Sequence, residues 1–238
     1  MRYGRPFILT CTYRLRAPPS SYSRFKSSST RNTREGEHKD LRSFEAYVDR
    51  TGLNKASTVY RGTKYEYTAV DTLHRFFLNL QRQGGRDDLG IDLLGTWSLP
   101  TFIHPVNVLV SCKSNAKVAL ASWVRELEGA FAGDPRGPNH GRLIGFLVAR
   151  GEATPGVRDA LARSQLPLAF INITLEGNVR QIVWNAHVAN MGLERVTPKI
   201  WNQELGTGDD IGEERTTVVL MENDQILDKV HGNRTDIS

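Results

Sequence analysis

Cysteine is nearly absent: Cys11 and Cys112 are the only two in 238 residues, which excludes a disulfide framework and a cysteine-based zinc site. Long hydrophobic runs are absent too. The greasiest stretches, Val106–Cys112 and Leu143–Ala149, fall far short of the roughly 18 apolar residues of a membrane-spanning helix. No Gly-rich loop ending in Gly-Lys-Ser or Gly-Lys-Thr occurs, which argues against nucleotide hydrolysis by that route. The histidines His38, His74, His104, His140, His187 and His231 lack metal-ligand spacing. Trp97, Trp123, Trp184 and Trp201 do not interleave with basic residues, so they give no base-stacking pattern. Any metal must therefore be held by carboxylates or scattered histidines.

Acid is missing from the opening 34 residues, which hold Arg2, Arg5, Arg14, Arg16, Arg24, Lys26, Arg31 and Arg34 and are rich in serine. That composition predicts a mitochondrial transit peptide: a positive leader is drawn inward by the membrane potential, and carboxylates would oppose it. The alternative is a disordered basic tail or one that binds nucleic acid. The leader also accounts for the overall charge. The whole chain is +5 with a pI near 9.3, but beyond residue 34 it carries 23 basic and 26 acidic residues, a net −3.

Hydrophobic content of 39% and 24% charged residues suit one ordinary globular domain with appendages. Residues 35–58 read as a linker with one short helix over Leu41–Val48. From Tyr65 to Leu80 the apolar positions recur at three- and four-residue spacing, which predicts an amphipathic helix stopped at Gly84-Gly85. Ile91–Leu94 and Val106–Cys112 read as neighbouring strands. Leu120, Trp123, Val124, Leu127 and Phe131 mark a second helix. Leu143–Ala149 is a strand apolar on both faces, Val157–Arg163 a short helix, and Leu166–Ile173 a further strand. Such alternation predicts an α/β sandwich with a mixed central sheet flanked by helices over residues 59–195. Residues 196–238 are expected to form a C-terminal extension with a loosely attached acidic tail and one edge strand at Thr216–Met221.

Three charged residues stand where apolar neighbours are expected. Glu66 lies within about 40° of Val70, Leu73 and Phe77 at the helical repeat, so it is paired, protonated, bound to a cation, or a first-turn carboxylate favoured by the helix dipole. Asp92 is surrounded by Ile91, Leu93 and Leu94. Lys113 ends a buried strand on the face of Leu109 and Ser111, while Val108, Val110 and Cys112 share the other. A structural salt bridge between Asp92 and Lys113 is the plain alternative to a reactive site.

An acid-bearing helix, then Gly90-Ile91-Asp92-Leu93, then a strand ending Ser111-Cys112-Lys113, then an amphipathic helix resembles the Mrr-like branch of the PD-(D/E)xK restriction-endonuclease fold. The strings Gly62-Thr63-Lys64-Tyr65-Glu66-Tyr67-Thr68, Gly90–Trp97 and Val110-Ser111-Cys112-Lys113 resemble a fungal mitochondrial family, "required for respiratory growth protein seven". Arg125-Glu126-Leu127-Glu128-Gly129 and Gly156-Val157-Arg158-Asp159-Ala160-Leu161 do so as well, and the resemblance covers about residues 59–195. It implies that Asp92 is a ligand of Mg²⁺, Lys113 the water-activating cation and Glu66 a helix carboxylate, with Asp88 assisting. Ser111 stands where the fold usually has Glu, Asp or Gln; its shorter, uncharged side chain weakens direct coordination.

The implied function is a mitochondrial, matrix-located, nucleic-acid-binding protein of nuclease ancestry supporting respiratory growth, with Mg²⁺-dependent phosphodiester cleavage of DNA or RNA. The alternative is a catalytically silent adaptor acting through a protein partner, which Ser111 and the net −3 charge favour. Residues 111–163 carry eight bases against five acids, a small excess that suits either a phosphate-facing surface or an ordinary solvated one.

Overall fold

The computed structural model describes residues 38–83, 90–114, 118–133, 142–203 and 215–227. The stretch over residues 1–34 expected to be a transit peptide, Gly84-Gly85 and Asp88 lie outside them. In chain order the described elements are helices α1 (Leu41–Thr51) and α2 (Thr58–His74), strands β1 (Leu78–Arg82), β2 (Leu93–Trp97) and β3 (Val106–Lys113), α3 (Ala121–Gly133), β4 (Leu143–Ala149), α4 (Pro155–Arg163), β5 (Leu168–Ile173), β6 (Val179–Trp184), the one-turn α5 (Ala186–Ala189), β7 (Val196–Gln203), β8 (Arg215–Glu222) and β9 (Gln225–Leu227).

Strands β1 to β6 form one mixed sheet in sequence order. The β1–β2, β2–β3 and β5–β6 pairs are antiparallel, while β3–β4 and β4–β5 are parallel. Parallel neighbours need crossovers, and α3 and α4 supply them. Both helices lie on one face, where Trp123, Val124, Leu127, Val157 and Leu161 pack with Leu109, Leu147, Leu168 and Phe170. On the other face Tyr65, Ala69 and Leu73 of α2 pack with Val108, Val110, Ile144, Phe146 and Val148. The β4 residues are buried throughout, as expected of a parallel strand covered on both sides. Among the described residues no helix is long and apolar enough to cross a membrane.

Three sequence expectations shift. The helix predicted over Tyr65–Leu80 starts earlier and ends at His74. Phe77 adopts φ 66°, a left-handed conformation that a bulky residue takes only under surrounding constraint, here a turn in which the Trp97 indole donates to the Phe76 carbonyl at 2.8 Å. Leu78 and Leu80 then alternate inward as β1. The strand predicted at Ile91–Leu94 begins at Leu93 and runs through Gly95–Trp97. The short helix expected over Leu41–Val48 is present as α1 and runs on to Thr51, and it is packed against the body rather than part of a linker. Asp40 and Ser43 form its capping box, and Phe44 and Val48 are buried with Tyr60 and Tyr67.

The C-terminal extension is more firmly attached than its composition suggests. Strands β7, β8 and β9 make a three-stranded antiparallel sheet with β8 in the middle, and Val196, Val218 and Leu220 join the α2-side core. The Arg75 guanidinium fastens it by donating to the Thr217 hydroxyl at 2.7 Å and the Val218 carbonyl at 3.1 Å.

Gly95 sits between Leu80 of β1 and Val108 of β3, and a Cβ there meets the Asn79 carbonyl oxygen at 1.9 Å. Gly95→Ala is expected to cost about 3 kcal/mol, since backbone rather than a flexible side chain must give way. Gly129→Ala, on α3 with open space around it, is expected to stabilise by about 0.5–1 kcal/mol. Chemical denaturation of the two variants checks both, and equal effects would contradict the packing of β1 on β2.

Candidate functional site

Strand β3 carries the site because its two faces lead to different helices. Val108 and Val110 face α2, and Cys112 packs against the same cluster. Leu109 faces α3, and strand alternation puts Ser111 and Lys113 on its side. The Ser111 residue is 4% exposed. At the strand end the Lys113 ammonium is 2.8 Å from a carboxylate oxygen of Glu126 on α3.

Asp92 precedes β2 rather than lying inside it, and the ladder is irregular there. Leu93 is in register with Val110, yet the Asp92 amide donates to that same Val110 carbonyl at 2.9 Å. Ile91 packs on the α3 side and Leu93 on the α2 side, which regular alternation would forbid. The Asp92 carbonyl accepts from Gln83 at 2.8 Å, and its carboxylate Oδ2 accepts from the Cys112 amide at 2.6 Å. The side chain thus takes the place of a backbone acceptor where β2 leaves β3.

Glu66 comes from α2 and is ion-paired and hydrogen-bonded to Arg82 at the end of β1. The pair is largely buried, with side chains 14% and 25% exposed. Arg82 reaches Glu66 because Leu78, Leu80 and Arg82 alternate onto the face that α2 covers. Its guanidinium also lies over the Tyr67 ring, 5.9 Å from the centroid.

These elements converge electrostatically on Cys112. Burial pushes the thiol pKa well up, the Asp92 and Glu66 carboxylates push it further, and Lys113 opposes them. The thiol therefore stays protonated and serves as a small packing residue, as its position facing away from Lys113 predicts. Tyr65 is likewise raised, chiefly by burial, and its hydroxyl donates to the Ile173 carbonyl at 2.9 Å.

Of the residues singled out in the sequence, Asp92, Lys113 and, through Arg82, Glu66 thus lie at the end of the sheet where β1 and β3 finish, with Lys113 on the α3 face and Glu66 on the α2 face. Ser111 is adjacent, but its hydroxyl is buried towards α3. Asp88 lies outside the described residues. Asp92 and Glu66 are hard oxygen donors of the kind a divalent cation takes, although among the described residues no group of three or more His, Cys, Asp or Glu is placed to hold one. A cation would have to displace Arg82 to reach Glu66. Arg82 and Glu126 were not singled out from sequence. Reading Leu78–Arg82 at period two would have found Arg82.

The family model described as "Required for respiratory growth protein 7" matches residues 57–104 and 101–197. The chain belongs to this family. A mitochondrial protein of Schizosaccharomyces pombe, "Uncharacterized protein C824.03c, mitochondrial", is 33% identical over 152 residues, 62% of this chain and 60% of the relative. "Required for respiratory growth protein 7, mitochondrial" of Vanderwaltozyma polyspora is 36% identical over 63 residues, 26% of this chain and 25% of the relative. Its counterpart in Lachancea thermotolerans is 26% identical over 160 residues, 50% of this chain and 62% of the relative. The matches thus span less than two thirds of each relative's length. No solved structure matches the chain. The family match contains the whole cluster of Glu66, Arg82, Asp92, Cys112, Lys113 and Glu126.

The hydrogen bond at Cys112 makes a prediction about Asp92. Asp92→Ala leaves a buried amide without its acceptor and is expected to cost about 1–3 kcal/mol, whereas Asp92→Asn retains an acceptor oxygen and costs less. Lys113→Met breaks a pair whose Glu126 partner is 54% exposed, so its effect stays within about 1 kcal/mol. Thermal unfolding of the three variants tests this order; a Lys113→Met loss larger than that of Asp92→Ala overturns the assignment of Asp92 to the ladder.

Proposed function

We propose that the chain acts in the mitochondrial matrix on nucleic acid, as a restriction-endonuclease-like protein of nuclease ancestry that supports respiratory growth. The observation that carries this is that Asp92 just before β2, Lys113 at the end of β3 and the Glu66–Arg82 pair between α2 and the end of β1 all lie at one end of the sheet. The family membership supplies the respiratory context, and the names of the relatives supply the compartment.

The chain's own groups divide the work. Lys113 holds a positive charge at the strand end, only partly shielded, and exchanges Glu126 for a phosphate oxygen when a strand is bound. Asp92 and Glu66 offer oxygen ligands to Mg²⁺, with substrate phosphate and water completing the shell, an arrangement common for this ion. Bound there, Mg²⁺ would lower the pKa of the attacking water and stabilise charge on the phosphate oxygens. Ser111 is short and uncharged, so it would coordinate a cation only weakly or through water.

Full-length protein with Mg²⁺ or Mn²⁺ is expected to cut end-labelled DNA or RNA, with Asp92→Asn and Lys113→Met each slowing cleavage by about 100-fold or more. Undiminished cutting by both variants would sink the site. The second reading, a silent adaptor working through a protein partner, is favoured by the Glu66–Arg82 and Lys113–Glu126 pairs, which already neutralise these charges. Respiratory growth restored in full by the Asp92→Asn, Lys113→Met double variant would select it.

A further inference from the structure

A cleft of about 520 Å³ opens at the C-terminal ends of β4 and β5, lined among others by Val118, Arg150, Thr174, Leu175, Glu176 and Arg180. Its size is that of a small-ligand site, and its position, at the carboxyl ends of parallel strands, is where α/β sheets place ligands. It is distinct from the Asp92 cluster yet adjoins it, because the Arg150 amide donates to the Lys113 carbonyl at 3.2 Å.

The walls are built rather than loose. Buried Asn172 donates to the Ala149 and Arg150 carbonyls at 3.1 and 2.7 Å, which fixes the backbone from which Arg150 projects. Val118 is tied to Glu152 by a parallel bridge, and the Thr154 hydroxyl donates to the Ala119 carbonyl at 3.3 Å. Two features are then left to a ligand. Arg150 and Arg180 are exposed, and neither guanidinium makes an ion pair or side-chain hydrogen bond among the described residues. Val118 and Leu175, 52% and 43% exposed, are apolar side chains on the same cleft. Glu176 lies in the field of both arginines. Its carboxyl is held below the usual range, first by a hydrogen bond with Thr174, next by its own backbone amide, and after these by the charges of Arg150 and Arg180.

We infer that this cleft binds a phosphorylated nucleoside unit, with Arg150 and Arg180 taking the phosphate and Val118 and Leu175 flanking the base. Two guanidiniums on one cleft suit phosphate because their planar donors match its oxygens, and they do so against the carboxylates of Glu152 and Glu176 on the same walls. An amphipathic cleft suits a ligand with one charged and one flat, weakly polar end. The unit comes either from a free nucleotide or from the end of a strand held by the neighbouring cluster. This deepens the nucleic-acid reading above, and binding here needs no divalent metal.

The test is calorimetric titration of adenosine 5′-monophosphate, adenosine and inorganic phosphate into the full chain in the presence of a chelator. The monophosphate is expected to bind at least tenfold tighter than adenosine or phosphate. Arg150→Gln and Arg180→Gln are each expected to weaken it at least tenfold with unfolding temperatures unchanged. Glu176→Gln is expected to tighten it, since a competing carboxylate is removed. The inference is overturned by absence of monophosphate binding, by phosphate binding as tightly as the monophosphate, or by folded arginine variants that bind as wild type does. Competition by 5′-phosphorylated but not unphosphorylated oligonucleotide assigns the site to strand ends, and no competition by either assigns it to free nucleotide. Monophosphate binding by a chain that cuts nothing keeps this inference while removing the nuclease reading, and metal-dependent cutting without monophosphate binding does the reverse.

Discussion

Strand β3 has no wet face over most of its length: α2 covers one side and α3 the other, with an antiparallel partner on one edge and a parallel partner on the other. Every polar group that enters this strand must be matched inside the protein, because an unmet donor or charge in the interior costs more than a made bond returns. The constraint explains what gathers at its C-terminal end. The Cys112 amide meets the Asp92 carboxylate where β2 departs, and the Lys113 ammonium meets Glu126 as the strand emerges. One edge away, Glu66 meets Arg82.

The same arrangement carries both functional readings. On the proposed reading, the charge pairs at this pole of the sheet would open to a phosphate or a cation by exchanging partners. Held without exchange, the pairs are braces between α2, β1, β2, β3 and α3. The pole and the adjoining cleft share a backbone link through Lys113 and Arg150.

Much of the core was legible because burial on two faces leaves a plain mark. Leu143–Ala149 is apolar without alternation and is a central strand. The period-two split at the end of β3 correctly set Cys112 apart from Ser111 and Lys113. The helix from Tyr65 was overextended because Phe76, Phe77 and Leu80 continue the helical spacing through what is a turn. The turn depends on Phe77 in a left-handed conformation and on an indole donated from β2, neither of which is local. That misreading hid Arg82, and with it the partner of Glu66. Likewise the strand expected at an edge over Thr216–Met221 is present but lies in the middle, as β8, with Val218 and Leu220 buried in the α2-side core.

Sequence alone determined which residues are out of keeping with their surroundings: Glu66 on an apolar helix stripe, Asp92 beside a strand, and Lys113 at the end of another. It also determined the alternation that makes the sheet mixed, since short-range periodicity records which face a side chain buries. Tertiary structure alone decided what each of those charges meets. Arg82, the Cys112 amide and Glu126 reach them across 16, 20 and 13 residues of chain. A partner brought in by packing leaves no periodic trace in the segment that receives it.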